Sequence, residues 1–175
     1  MSLRVYRREK KWLGDRCVEC RAVRVYDGDG FLAAGESGRF KVRIWGIDAP
    51  EFGQAYFGES RVALRGLVFG VKLRCVVVCV DIYGRRVCRV WNSVGVDVGL
   101  AMVRLGWAWW YRKSAIRAVE LRDVEKAARA RGIGLWQDTG AVRPWVYRRR
   151  NAKTVDHTCG LRRPSPGRKN GRYGS

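Results

Sequence analysis

FKVRIWGIDAPE, residues 40–51, is the stretch on which the reading of this chain turns. Phe40, Val42 and Ile44 alternate with Lys41, Arg43 and Trp45, the period of a strand with one buried face. Pro50 then holds Ala49 out of helical geometry and forces a sharp exit. Asp48 and Glu51 sit at that exit, in a chain with 36 Lys+Arg against 16 Asp+Glu. On a continuing strand they would face opposite ways, whereas a bend at Pro50 turns both toward one point. Converging carboxylates repel unless a cation or arginines offset them. Arg43 lies on the strand just before, and Arg85 follows a tight turn elsewhere. Hard carboxylate oxygens suit Ca²⁺ or Mg²⁺. A spare carboxylate beside a metal can activate water, and paired arginines fit the charge of a phosphoryl transition state.

Outward from this stretch the pattern is mostly β. Residues 17–26, CVECRAVRVY, alternate as a strand, and Asp27-Gly28-Asp29-Gly30 reads as a turn. A short second strand follows over 31–34, and Gly35-Glu36-Ser37-Gly38 turns into the third. After Pro50 the spacing of Val62, Leu64, Leu67, Val68 and Phe69 predicts a helix over 59–69, stopped by Gly70. Residues 71–80 form a nearly continuous apolar run, the mark of a buried strand. Asp81-Ile82-Tyr83-Gly84 is a hairpin turn, and the chain returns over 86–91. Helices are expected over 96–105 and 117–131, the second with Val119, Leu121, Val124 and Ala128 on its apolar face. Five strands with a helix between the third and fourth predict an α+β, mainly β fold. Its form is a five-stranded OB-type Greek-key barrel with about three helices.

Charge divides the chain. Lys+Arg minus Asp+Glu is +4 over 1–16, +7 over 17–142 and +9 over 143–175, within a total of +20. This supports a basic N-terminal segment (1–16), a globular domain (17–148) and a basic, disordered tail (149–175). So basic a chain implies a polyanionic partner, DNA or RNA, because Lys and Arg gain affinity by releasing phosphate counterions. No basic amphipathic helix argues for a membrane surface, and no long apolar run argues for insertion into one. No secretory signal is visible, which makes the cytoplasm the default, and a monomer is the default assembly at this charge. The six cysteines read as thiols rather than a disulfide framework. Cys17-x-x-Cys20 with Cys159 and His157 lacks the second pair that zinc spacing requires.

At this point the sequence resembles the staphylococcal-nuclease-like (thermonuclease) family. The pieces that carry the likeness run in order: VRVYDGDGF (23–31), VRIWGIDAPE (42–51), DIYGRRV (81–87), VGLAMVRLGWAWWYRK (98–113), EKAARARGIGLW (125–136) and PWVYR (144–148). The resemblance implies an OB barrel with three helices that cleaves DNA and RNA phosphodiesters and leaves 3′-phosphate ends. It implies one Ca²⁺, with Mg²⁺ the second choice, held by Asp29, Asp48 and the backbone carbonyl of Ala49. It implies Glu51 as general base toward water, Arg43 and Arg85 on the phosphate, and Tyr83 against the nucleotide. Three positions depart from the family: Gly30 in place of Thr, Ile82 in place of a basic residue and Gly99 in place of Asn. They bear on substrate and metal affinity more than on chemistry. Within Trp107-Ala108-Trp109-Trp110-Tyr111 most of the aromatics are expected to fill the gap between barrel and helices, with Tyr111 a substrate contact. The alternative function is an inactive OB module that binds nucleic acid, but such a module has no use for an acid at Glu51, which repels phosphate.

Overall fold

A computed structural model gives the fold, and it describes residues 17–158. Strands β1 (Cys17–Val25), β2 (Gly30–Gly35) and β3 (Gly38–Ile44) form a meander, followed by the short β4 (Ile47–Asp48). Helix α1 (Phe57–Val68) leads to the hairpin of β5 (Lys72–Val80) and β6 (Arg86–Asn92). The remainder is α2 (Val98–Arg104), β7 (Trp109–Trp110), α3 (Val119–Ala130), a 3₁₀ turn (Gly134–Gln137) and α4 (Pro144–Thr158). The five long strands close a barrel in the order β1-β2-β3-β6-β5, with β3 and β6 parallel and the other pairs antiparallel. This is the expected OB-type barrel, with four helices where about three were anticipated.

Alternation in β3 seats Phe40, Val42 and Ile44 inside the barrel beside Phe31, Ala33, Leu73, Cys75 and Val90. The apolar run 71–80 is not buried on both faces. Its residues alternate, because a closed barrel covers only the inner side of each strand. The helix faces also differ from expectation. On α1 the buried stripe is Ser60, Leu64 and Val68, at the four-residue spacing of one helix face, while Val62 is 66% exposed. On α3 Leu121 and Ala128 are buried and Val119 faces outward.

Trp109 is fully buried and meets Trp136 edge to face at 5.6 Å. Trp110 donates its ring N–H to the Ala115 carbonyl at 3.0 Å and its backbone N–H to Glu125 at 3.1 Å. Glu125 therefore ties α3 to β7. Cys20, Cys75 and Cys88 are buried free thiols, Cys79 is buried as well, and Cys17 is an exposed thiol. Cys20 lies 3.5 Å from Cys75, sulfur to sulfur, and that contact with burial pushes the Cys20 thiol up.

The largest departure from the sequence reading is α4. It runs through 149–158, which was assigned to an unstructured tail. Pro144 at its first position is pre-set for a helix, and Arg, Ala and Lys favour one. Trp145 anchors it against Tyr111, ring centroids 5.5 Å apart. His157 lies in its last turn, though its side chain is outside the described residues. Residues 1–16, with Trp12 and Leu13, and 159–175, with Cys159, also lie outside them. Among the described residues, no helix is long and apolar enough to cross a membrane.

Candidate active site

The site forms where three chain segments meet at one end of the barrel. The turn after β1 is stiffened by Asp27, whose Oδ1 accepts from the Asp29 N–H at 3.0 Å. Asp29 also accepts the Ile44 N–H on its backbone carbonyl at 2.8 Å, which fastens the turn to the end of β3. Gly28 fits here because only hydrogen does: a Cβ would sit 1.8 Å from Ser60 Oγ and 2.7 Å from the Ala49 Cβ. Ser60, buried in α1, donates to the Trp107 carbonyl at 2.7 Å, so its polar atom is satisfied. The turn is thus pressed against both α1 and the strand exit.

Asp48 is fixed by pairing of β4 with β7, where it stands opposite Trp109. Its side chain is fully buried, and Asp29 is nearly so. Arg43 joins them: one terminal nitrogen meets Asp29 Oδ1, the other donates to Asp48 Oδ1 at 2.7 Å. Ala49 donates its backbone N–H to Asp29 Oδ2 at 2.6 Å. Burial pushes the Asp29 carboxyl up to about 6 against the pull of Arg43. Asp48 also goes up, first from burial and then from the charge of Asp29, with Arg148 and Arg43 opposing. Burial works against the charge of Arg43, and its two aspartates more than offset that. For both carboxyls the cost of burial outweighs the pull of the arginines.

Glu51 lies on the loop beyond Pro50. Its N–H donates to Gln54 Oε1 at 3.1 Å, and Gln54 in turn donates to the Val142 carbonyl. Its carboxylate meets Arg148, which also donates to Asp48 Oδ2 at 2.8 Å. Arg85 stands apart from these acids. Its Nε donates to Asp81 Oδ2 at 2.7 Å, while Asp81 Oδ1 accepts the Tyr83 and Arg85 N–H groups, each at 2.9 Å. The parallel β3–β6 ladder pairs Val42 with Arg86 and Arg43 with Val87, so Arg85 precedes the first residue of β6. Tyr83 is exposed, with Arg85 over its ring at 5.4 Å. Tyr111 leaves β7 and packs on Trp145.

Asp29, Arg43, Asp48 and Glu51 thus converge with Ala49, while Arg85 and Tyr83 belong to the turn around Asp81 and Tyr111 packs on Trp145. Sequence reasoning missed Asp81 as the anchor of Arg85, Gln54 as the brace of the Glu51 loop, and Arg148. The signal for Arg148 was its place three residues after Trp145, one helical turn on and on the same face. The departures have local causes. A Cβ at Gly30 would press on Asp27 Oδ1 at 3.0 Å, and one at Gly99 on Ile44 at 3.2 Å, where α2 packs against β3.

Comparison with known proteins agrees with this construction. The family described as Staphylococcal nuclease homologue matches residues 41–138. Protein ParB of Escherichia coli is 36% identical over 143 residues, 77% of this chain and 81% of that protein. An uncharacterized endonuclease of Escherichia coli O157:H7 is 35% identical over 133 residues, 76% of this chain and 86% of its own. A micrococcal nuclease of Shigella flexneri is 33% identical over 136 residues, 73% and 78% of the two chains. A family match across more than half the length, on a barrel whose rim gathers buried acids and arginines, makes this chain a member of the staphylococcal nuclease homologue family, a nuclease that hydrolyses phosphodiester bonds.

Proposed function

We propose that the protein is a calcium-dependent endonuclease with little sequence preference, cutting DNA and RNA to leave 3′-phosphate ends. The observation that carries this reading is the convergence of buried Asp29 and Asp48 on one guanidinium, with Glu51 joined to Asp48 through a second. The donor set fits a hard divalent cation. It consists of oxygen only, from two buried carboxylates and a backbone carbonyl. Among the described residues, no three His, Cys, Asp or Glu side chains cluster at metal-binding distance. Two carboxylates would therefore hold the ion with the Ala49 carbonyl, and water and phosphate oxygens would fill the remaining positions. A bound Ca²⁺ supplies charge that stabilises the anionic phosphate during attack.

The chain's own groups perform the rest. Glu51 takes a proton from water as its oxygen bonds to phosphorus. The bond from phosphorus to the 5′ oxygen breaks, and that oxygen leaves with a proton taken from solvent water, so the phosphate stays on the 3′ side. Arg43 and Arg85 bear the charge that develops on the phosphoryl oxygens. Asp81 holds Arg85 through Nε, so the outer edge of its fork is the part a phosphate meets. Tyr83 and Tyr111 offer ring faces to bases of a single strand.

The test is cleavage of a single-stranded DNA oligomer with Ca²⁺, Mg²⁺ or chelator, beside Glu51→Gln. Calcium-dependent cutting is expected, abolished by chelator and reduced at least about 10²-fold by the substitution, with binding retained. Tight, salt-sensitive binding without cutting in any metal would instead identify an inactive OB module.

A further inference from the structure

Helix α4 brings to the site a charge that the proposed reaction does not use. Arg148 donates from Nη2 to Asp48 Oδ2 at 2.8 Å and from Nη1 to Asp48 Oδ1 at 3.2 Å. The same Nη1 meets Glu51 Oε1. One guanidinium from outside the barrel therefore spans both oxygens of a proposed cation ligand and the proposed general base. Burial opposes its charge, and the bonds to Asp48 more than offset that.

The two arginines of the site are not equivalent. Arg43 belongs to a barrel strand, and its side chain is 15% exposed between Asp29 and Asp48. Arg148 belongs to the last helix of the described chain, and its side chain is 43% exposed. Near it, α4 rests on the packing of Trp145 against Tyr111. Arg43 is built into the barrel, whereas Arg148 can withdraw toward solvent without disturbing a strand.

We propose that Arg148 is an intramolecular competitor for the divalent cation, a latch that occupies Asp48 and Glu51 until the ion displaces it. The proposal rests on the reading of Asp29 and Asp48 as cation ligands. An ion on the oxygens that Arg148 already holds would place two positive centres a few ångströms apart in a partly buried site, where like charges repel strongly. Glu51 engaged by a guanidinium also has a lone pair committed away from water. A cation that must first break an ion pair binds more weakly by the fraction of the protein already open. Release of the latch and activation of the base are then one event, and α4 sets the cation concentration at which the site assembles.

The experiment is calcium titration by calorimetry on the full chain, comparing the unsubstituted protein with Arg148→Ala, Arg148→Gln and Asp48→Asn. Thermal melts in chelator verify that each variant is folded. Arg148→Ala should bind Ca²⁺ roughly tenfold more tightly, the scale of a typical coupling between sites. Arg148→Gln removes the charge but keeps an amide donor for Asp48, so it tests the same point if the alanine variant does not fold. It too should bind more tightly. A purely structural role would lower the affinity on substitution. Unchanged or weaker binding in a folded Arg148 variant, with Asp48→Asn abolishing binding, overturns the latch and leaves the cation site standing. Absence of calcium binding in the unsubstituted protein and in every folded Arg148 variant overturns both.

Discussion

At the scale of single residues, the site is a charge arrangement in which each group has a different tolerance to change. Arg85 is held by its own turn through Asp81, not by the acidic cluster. Its replacement by alanine should therefore leave the carboxylates undisturbed and act on the transition state alone. Turnover of Arg85→Ala on single-stranded DNA should fall about 10²- to 10³-fold, the effect of losing one preorganised donor. A variant that shifts only the salt dependence of binding would reduce Arg85 to an ordinary phosphate contact. Arg43 differs, since it ion-pairs with Asp29 and Asp48 within the barrel wall. Arg43→Ala strips buried Asp29 of its guanidinium and leaves Asp48 to Arg148, and its loss of stability in chelator should reach about 3–5 kcal/mol by denaturant melts. Stability within 1 kcal/mol of the unsubstituted protein, roughly the value of an exposed pair, would show that solvent reaches the two acids.

Elements position these residues by close approach. The turn at 27–29 lies so near α1 and Ala49 that Gly28 has no room for a side chain. Gly28→Ala should force the turn away from Ser60 and cost about 1–3 kcal/mol, read as a lower midpoint in urea. A midpoint unchanged by that substitution would mean the turn yields freely. The same element logic explains why the helix faces were misread. On α1 the apolar pattern offered Val62 and Phe69, but Ser60 occupies the inward face because its hydroxyl finds the Trp107 carbonyl. A hydrogen-bonded serine is acceptable inside, and periodicity of apolar residues cannot reveal it. Leu64, on the same buried stripe, should cost about 2–5 kcal/mol as Leu64→Ala.

At the scale of the whole molecule, a barrel joins Asp29, Asp48 and Glu51 through Arg43 and Arg148 inside a strongly basic chain. That net charge favours diffusion of a polyanion to the surface. Nucleic-acid affinity of Glu51→Gln should fall with salt, each phosphate contact adding about 0.7 to the logarithmic slope for a single strand. Removal of residues 159–175, which carry five Arg and Lys and no Asp or Glu, should flatten that slope while leaving calcium affinity unchanged. A slope that does not change would mean those charges never touch the strand.

The sequence by itself determined the barrel and the bend at its rim. Alternation at 40–45 fixes which side of β3 is buried, and a barrel covers only that side. Pro50 fixes the bend that brings Asp48 and Glu51 together, and a bend is a local property of the backbone. Tertiary structure alone decided what those carboxylates meet. Arg148 follows Asp48 by a hundred positions, and no local pattern encodes a contact of that range. The charges of 143–150 read equally as a solvated tail until Trp145 finds Tyr111 and a helix forms around that anchor. The fate of α4 depended on a packing partner from a strand end more than thirty residues earlier, and such partners exist only once the chain has folded.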